Sequence, residues 1–363
     1  MTTKSTTLID ETSSRGAIFP NQKDEDWLYY NIESLKLTSI NKVDSASTVS
    51  TKSTYCIHFL NGDLIESSLP GNSELKKVNT DLNEQFQHIT AENHFECTLA
   101  SSNETIEIIF EVSENGYQGV GLTINVNDIN LDIQRQFITP NKSTQVIHST
   151  ININGNSTVR LTDTNKRNNG RLLDFVDSNI NGNGQYFTLN ESVLSSNSRF
   201  EQNVKIMAKH AFARLHGYSI NPENGETFYN THVFHHAEET ESHQLFKSLN
   251  LDDALFEYNG KVTVAQNAQQ INSYQLNQNI VLNNSATIHS RPQLFIDADD
   301  VKCSHGSTTG DINREQLLYL KSRGLDDIEA KRAILFAFLA DVLTIEGINP
   351  DRDYLRQIFD EII

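Results

Sequence analysis

The chain has 363 residues, 37% of them apolar, and its 47 acidic and 29 basic residues leave a formal net charge of −18. This apolar content is enough for a large buried core, and the length fits either one long domain with appendages or two to three domains. The acidic excess argues against binding to nucleic acid or anionic lipid, because phosphate groups repel a negative surface and no local cluster of basic residues offsets it.

The apolar segments are too short to predict export or membrane insertion. Met1–Asp10 is rich in Thr and Ser and lacks the apolar core of a secretory signal. The longest apolar stretch, Ala333–Val342, falls well short of the roughly 20 residues that cross a bilayer. Cys56, Cys97 and Cys303 are far apart and form no Cys-x-x-Cys pair, so neither a disulfide framework nor a self-contained metal motif is indicated. We therefore expect a protein of the reducing cytoplasm.

In chain order, the pattern predicts three regions. Residues 1–50 are expected to be an N-terminal helical or irregular region, in which Pro20–Leu37 concentrates the large apolar side chains. Residues 51–306 show the period-2 alternation of strands, and residues 307–363 change to the 3.6 period of helices. The clearest predicted strands are Thr105–Val112, Leu122–Val126, Gln145–Ile153 and Ser157–Leu161.

Asparagine and glycine separate the predicted strands, for example at Asn61-Gly62, Asn154-Gly155 and Asn259-Gly260. Both residue types tolerate positive φ, so these pairs predict turns. Two architectures fit such a pattern, an antiparallel sandwich or barrel and a parallel β-helix. We favour the parallel β-helix, because roughly 200 residues of strand without an intervening helix would more often divide into two sandwich domains.

The C-terminal region is expected to form three short amphipathic helices. The first is predicted to start at Asn313, with Gln316 in a pattern similar to a capping box, and to end at Gly324. The second is predicted to start at Asp326 with Glu329, and the third at Asn349-Pro350. The apolar stripe of the second helix consists of Ile334, Leu335, Phe338, Leu339 and Val342. That of the third consists of Tyr354, Leu355, Ile358, Phe359 and Ile362. These stripes are wider than three short helices need among themselves, so part of each should pack on the β-body or on a partner.

Cys303 and His305 lie where the strand pattern gives way to the helix pattern. Residues i and i+2 of a strand point to one face, so the thiol and the imidazole are predicted to be side by side. They could act as a nucleophile and its base, although the members of such pairs normally come from different elements. They are also good iron ligands, but two ligands are too few, so others would come from elsewhere in the chain or from a second protein. The third alternative is that both are ordinary strand residues.

Four histidines, His232, His235, His236 and His243, form a second conspicuous group. On a strand, His232 and His236 would share a face with Phe234, and His235 would point to the opposite face, which does not make a tetrahedral zinc site. We interpret these histidines as stacked or hydrogen-bonded structural side chains. Opportunistic metal binding with the neighbouring glutamates is the alternative.

A carbohydrate-active enzyme is the alternative function, because many parallel β-helices act on acidic polysaccharides with aspartates and basic residues along one groove. Asp163, Asp174 and Asp177 could form such a groove with nearby basic residues. These are Arg160, Lys166, Arg167 and Arg171. Such enzymes are usually exported, and the sequence shows no export signal.

The segment Asp299–Gly310 resembles the signature of the SufB/SufD family, the scaffold subunits of the SUF iron–sulfur cluster assembly complex. The resemblance continues through Leu318–Gly324 and the helical pattern of Ala330–Val342. Two upstream segments, Phe256–Val264 and Pro20–Trp27, also resemble the family. The resemblance implies a right-handed parallel β-helix flanked by small helical regions.

In this family, SufB-type chains carry a cysteine in the central β-helix that is regarded as the entry point for sulfur, and here no cysteine lies between Cys97 and Cys303. The resemblance therefore favours the SufD type, a non-catalytic scaffold that pairs with SufB through its last strands and binds the ATPase SufC with its C-terminal helices. It implies that His305, with Cys303 as an additional contributor, ligates a nascent iron–sulfur cluster at the SufB–SufD interface. The implied SufC contacts are Leu317, Leu320, Leu335, Phe338 and Leu339.

The family also allows a reduced flavin in the complex and a homodimer when SufB is missing. ATP hydrolysis is expected of SufC, because the sequence contains no G-x-x-x-x-G-K-S/T loop.

Overall fold

The structure, a computed structural model, describes residues 6–7, 25–30, 39–40, 49, 53–78, 90, 93–101, 103–283 and 285–363. Strands make up 57% of it. They are β1 (Thr6–Thr7), β2 (Ser39–Ile40), β3 (Tyr55–Leu60), β4 (Asp63–Ser68), β5 (Glu74–Val78), β6 (His94–Leu99), β7 (Glu104–Glu111), β8 (Tyr117–Asn127), β9 (Asn130–Ile138), β10 (Thr144–Asn154), β11 (Thr158–Lys166), β12 (Arg171–Ile180), β13 (Gln185–Val193), β14 (Asn197–Ile206), β15 (Phe212–Asn221), β16 (Glu226–His235), β17 (Glu241–Asn250), β18 (Leu255–Val264), β19 (Ile271–Val281), β20 (Thr287–Ile296) and β21 (Val301–Gly310).

Successive strands alternate between two sheets. Sheet I has nine strands in the order β20-β18-β16-β14-β12-β10-β8-β6-β5, and sheet II has ten in the order β21-β19-β17-β15-β13-β11-β9-β7-β3-β4. From β6 onward each strand lies parallel to the strand above it, so the chain winds as a parallel β-solenoid of about eight turns. This confirms the predicted parallel β-helix and excludes the antiparallel sandwich. The antiparallel pairs β3–β4 and β5–β6 are confined to the first end of the solenoid.

Equivalent side chains stack from coil to coil, and this explains the composition of the strands. Inside the solenoid, the ring of Phe110 lies 5.5 Å from that of Phe59 and 5.7 Å from that of Phe137, in stacked geometry. On the outer face of sheet I, the Asn152 amide nitrogen donates to Asn125 at 2.8 Å, and the Asn179 amide donates to Asn152 at 3.0 Å. Each amide thereby satisfies the next, which is why asparagine recurs through the sequence.

Two of the three predicted turns are correct and one is wrong. Gly155, with a φ of 64°, lies in the turn between β10 and β11. Asn61 and Gly62 have φ of 52° and 89° and connect β3 to β4. Asn259 and Gly260, however, lie inside β18. A methyl group on residue 260 would overlap the amide of Gln275 and the Tyr258 hydroxyl. The glycine therefore permits a close approach in the interior and does not form a turn.

Of the predicted N-terminal segment Pro20–Leu37, only residues 25–30 belong to the described part of the chain, and most of the predicted region 1–50 lies outside it. The described piece begins with one turn of 3-10 helix and packs on the outer face of sheet I. There the Trp27 ring lies 3.6 Å from the Arg199 guanidinium carbon. This stacking joins an aromatic ring to a buried cation.

The predicted C-terminal helices are present as α1 (Arg314–Ser322), α2 (Asp327–Leu339) and α3 (Arg352–Ile362). Asn313 caps α1, and Asp326 forms a capping box with Glu329 at the start of α2. Gly324 follows α1 with a φ of 101°, as expected for a helix end. The third helix begins later than predicted, because Asp351 caps it with a hydrogen bond from the Tyr354 backbone.

The helices α2 and α3 pack on the outer face of sheet II, as the width of their apolar stripes predicts. The helical side chains buried there are Leu335, Leu339, Leu355, Ile358 and Phe359, and those of the sheet are Phe187, Leu189, Tyr218, Ile220 and Leu249. The C-terminal helices are therefore attached to the solenoid through a second apolar core.

Candidate metal-binding edge of the solenoid

The last coil of the solenoid ends in two open strand edges. β20 and β21 are the terminal strands of sheets I and II, and each is ten residues long. The opposite end finishes in β4 and β5, which have six and five residues, and β5 exposes the charged side chains of Lys76 and Lys77. Short charged edges oppose further pairing, whereas a long edge offers unpaired N–H and C=O groups to another strand. The C-terminal end is thus the better edge for strand addition.

Cys303 and His305 lie on β21 and point into the solenoid. Cys303 packs against an apolar cluster from β18 and β19. Two positions beyond His305, the Ser307 hydroxyl lies 2.7 Å from that of Ser290 on β20. Residues two positions apart on a strand point to the same face, so His305 points inward like Cys303 and Ser307. The thiol and the imidazole are therefore side by side at the open end, as predicted.

The two side chains differ in their surroundings. Cys303 is half-buried, and burial raises the pKa of its thiol, while a backbone hydrogen bond with Ser273 acts in the opposite direction. A thiol in this state needs a nearby cation or a metal to become a thiolate at neutral pH. His305 is exposed. On the strand below, Ser273 and Gln275 occupy the same two positions and are buried.

The histidine group has the structural role that we predicted. His235 points inward, bonds Thr240 at 2.7 Å and Ser242 at 2.8 Å, and has its pKa lowered to about 4 by burial. His232 points outward, where its ring lies 3.6 Å from that of Phe234, and burial likewise lowers its pKa to about 4. Both rings are therefore neutral at physiological pH. Across the described residues, no group of three or more His, Cys, Asp or Glu side chains is placed to hold a metal ion.

The aspartates predicted for a carbohydrate-active groove do not form one. Asp163 and Asp174 are buried inside the solenoid, where Arg135 donates to each of them at 2.7 Å. Burial raises the pKa of Asp174 to about 7. Asp177 lies on the outer face instead and accepts a hydrogen bond from His148 at 2.7 Å. The prediction of a shared groove fails because Asp163 on β11 and Asp174 on β12 point inward, whereas Asp177 points outward from β12.

Arg135 is a residue that the sequence reasoning missed. It occupies an inward position of β9, in phase with the apolar residues Leu131, Ile133 and Phe137. An arginine at an apolar position of an alternating strand was the available signal, because a buried guanidinium requires carboxylate partners.

An apolar groove lies between α1, α2 and the end of β19. Its volume is about 740 Å³, and its lining includes Ile280, Tyr319, Leu320, Ile334, Ala337 and Phe338. Of the five predicted partner contacts, Leu317, Leu320 and Phe338 are partly exposed. Leu335 and Leu339 are fully buried, because α2 packs its apolar stripe on sheet II. A partner in this groove would therefore contact Leu320 and Phe338, which line it, and not Leu317, Leu335 or Leu339.

A family model described as "SUF system FeS cluster assembly, SufBD core domain" matches residues 126–338, which include both Cys303 and His305. The chain belongs to the SufBD family. Its SufBD relatives include the iron–sulfur cluster assembly protein SufD of Escherichia coli K12, which is 33% identical over 156 residues, 43% of this chain and 36% of the relative. A SufBD family protein of Synechocystis is 42% identical over 116 residues, 32% of this chain and 26% of the relative.

A third SufBD relative, the chloroplastic protein ABCI7 of Arabidopsis thaliana, is 42% identical over 99 residues, 27% of this chain and 21% of the relative. The chain thus aligns with only 21% to 36% of the length of these three proteins. The comparisons support a SufD-like protein of the SUF system. None of the helices in the described part of the chain has the length and apolar character needed to cross a bilayer.

Proposed function

We propose that this chain is a SufD-type, non-catalytic scaffold subunit that builds nascent iron–sulfur clusters together with SufB and the ATPase SufC. The observation that carries the proposal is the position of Cys303 and His305 on β21, side by side at the open end of the solenoid. In this proposal a strand of SufB pairs with the edge of the last coil and brings its own ligands opposite these two. The cluster is the cargo of the complex and leaves it for acceptor proteins.

The chemistry of the two ligands suits a temporary site. One thiolate and one imidazole provide only part of the coordination that iron needs, so a cluster is held fully only while SufB supplies the rest. Because the thiol of Cys303 is protonated until a metal approaches, binding is coupled to proton release. Opening of the interface would therefore weaken the site and release the cluster.

We assign the groove between α1 and α2 to SufC. Movement of α2 would be transmitted to sheet II, because the Lys247 amine on β17 donates to the Phe338 carbonyl at 2.7 Å and α2 shares the second apolar core. ATP hydrolysis in SufC could in this way shift β21 relative to SufB. The proposal also includes a reduced flavin in the complex and a homodimer when SufB is missing. It further includes a cytoplasmic location, which keeps the three thiols reduced.

Co-expression with SufB and SufC tests the proposal. We expect SufB and SufC to copurify with the tagged chain, and His305→Ala to reduce the cluster content while SufB binding is retained. His210→Ala is the matched control, because that imidazole is exposed on a distant coil beside Glu239. A normal cluster yield from His305→Ala would contradict the assigned role.

The SufC contact is tested separately. Leu320→Asp places a charge in the apolar groove and should weaken SufC binding by at least about tenfold, equivalent to roughly 1.4 kcal/mol. Ile328→Asp is the control, because this side chain is 49% exposed and does not line the groove. Equal SufC recovery from both variants would remove the groove from the proposal.

A further inference from the structure

The interior of the solenoid becomes polar directly beneath His305. Successive coils of sheet II place one residue each in the inward column that ends at this histidine. The column runs Leu161, Thr188, Leu215, Gln244, Gln275 and His305. The residues farthest from the open end are mostly aliphatic, and the two below His305 are amides, so this part of the interior is not filled for apolar packing.

Gln275 stands out in this column. It is 0% exposed, and neither atom of its amide makes a hydrogen bond of ordinary distance and angle in the described part of the chain, although the Tyr258 hydroxyl is close enough to interact with it. Leaving a buried polar group without a partner is energetically costly, so such groups in native proteins usually have a ligand or a function. The amide of Gln275 is therefore available to a group that approaches from the open end.

Neighbouring residues leave room for this amide, and the Tyr258 hydroxyl is its polar neighbour on the facing sheet. Gly260 on the facing sheet lacks the methyl group that would overlap the Gln275 amide nitrogen. Gln244, one coil below, is already engaged, since its amide oxygen accepts from Thr231 at 2.6 Å and from Tyr258 at 3.4 Å. The pocket is thus formed by a glycine in mid-strand and by the Tyr258 hydroxyl, which lies near the Gln275 amide nitrogen.

We propose that Gln275 is a positioning residue for His305. Its amide oxygen accepts a hydrogen bond from one nitrogen of the imidazole, directly or through one buried water, and leaves the lone pair of the other nitrogen for iron. Side chains on one face of neighbouring strands start about 4.8 Å apart, a separation that such a bond spans. Metal-binding histidines generally donate their second N–H to an acceptor of this kind, which fixes the tautomer and the ring orientation.

This inference rests on the proposed function and assigns a residue to the same site. It predicts that His305 has one dominant tautomer in the full chain before any cluster is bound. It also predicts that loss of the Gln275 acceptor weakens iron retention in the SufB complex by about 10- to 100-fold, the usual effect of removing an outer partner of a metal-binding histidine.

The test is nitrogen NMR of the full chain labelled with ¹⁵N-histidine, recorded at alkaline pH, in which the chemical shifts of the two ring nitrogens distinguish the tautomers. His305→Asn identifies the resonances of residue 305. We expect one tautomer in the wild type and a mixture of both in Gln275→Met, which keeps the length of the side chain but removes the acceptor. Gln275→Glu keeps an acceptor and should keep one tautomer.

Gln278→Met is the matched control, because Gln278 lies on the outward face of the same strand. If Gln275→Met does not fold, as judged by circular dichroism, Gly260→Ala replaces it, since the added methyl group displaces the amide without removing it. A mixture of tautomers in the wild type, or an unchanged single tautomer in Gln275→Met and Gly260→Ala, would overturn the inference.

The two proposals fail in different ways. If His305→Ala abolishes cluster assembly but Gln275→Met leaves the tautomer unchanged, the positioning role is wrong and the proposed function remains. If Gln275→Met alters the tautomer while His305→Ala assembles clusters normally, the contact exists but the proposed function is wrong.

Discussion

Replacement of Arg135 is the sharpest test of the interior of the solenoid. In Arg135→Met the side chain keeps most of its length but loses five hydrogen bonds, two to Asp163, two to Asp174 and one to Ser149. Breaking a buried ion pair by removing one partner costs about 3–5 kcal/mol, because the other charge remains buried. Burial raises the pKa of Asp174 even beside the arginine, so the variant leaves two buried carboxyl groups without a compensating cation.

The loss should depend on pH in a defined direction. Without Arg135, the pKa of Asp174 rises further above the unfolded value of roughly 3.9, because the cation that lowers it is gone, so the folded variant binds a proton that the unfolded chain releases. Its stability is then greatest at low pH and falls as the pH rises from about 4 through the raised pKa. We expect a loss of about 3–5 kcal/mol at pH 8 and a clearly smaller loss at pH 5, measured by urea unfolding with circular dichroism.

The matched control is Arg160→Met, whose ion pair with Asp132 at 3.2 Å is partly exposed. Exposed pairs contribute less than about 1 kcal/mol, so this variant should unfold nearly as the wild type does. If Arg135→Met costs no more than Arg160→Met, or the same at pH 5 and pH 8, the buried cluster does not have the role described here.

Two further changes test contacts of sheet I. Asp26→Asn weakens the hydrogen bonds that Asp26 accepts from Lys261 at 2.8 and 2.7 Å. Those bonds lower the pKa of Asp26. Their contribution to stability is therefore present above the unfolded pKa and is lost as the pH falls below it. We expect faster proteolysis near residue 26 at neutral pH, and cleavage at the wild-type rate would contradict this. Gly260→Ala should destabilise the chain by about 1–3 kcal/mol because its methyl group would displace Gln275, whereas Gly310→Ala, with open space around it, should cost far less in the same thermal unfolding assay.

The strand region and the solenoid could be predicted from the sequence, because stacked coils give alternating apolar residues and recurrent asparagines. The segments Thr105–Val112 and Gln145–Ile153 lie almost entirely within β7 and β10. The helix caps Asn313 and Asp326 could also be predicted from the sequence, since capping depends on residues three or four positions apart.

The remaining errors come from contacts between distant coils. Arg135 meets Asp163 and Asp174 across 28 and 39 residues, and no local pattern in the sequence shows that all three point inward. Gly260 was predicted to form a turn, but its actual role is to leave room for the side chain of Gln275. That side chain is on another strand, so no local pattern in the sequence shows this role. The placement of Cys303 and His305 on one face followed from alternation, but the open edge around them became visible only with the sheet order.

The central claim is that the imidazole of His305 binds iron at the edge shared with SufB. The most direct measurement is the pulsed electron paramagnetic resonance spectrum of the reduced cluster in a complex of the ¹⁵N-histidine-labelled chain with unlabelled SufB and SufC. We predict a ¹⁵N coupling of the strength expected for a directly bound ligand, which is lost in His305→Ala and kept in His210→Ala. A cluster that shows no such coupling in the wild-type complex, or keeps it in His305→Ala, would contradict the account.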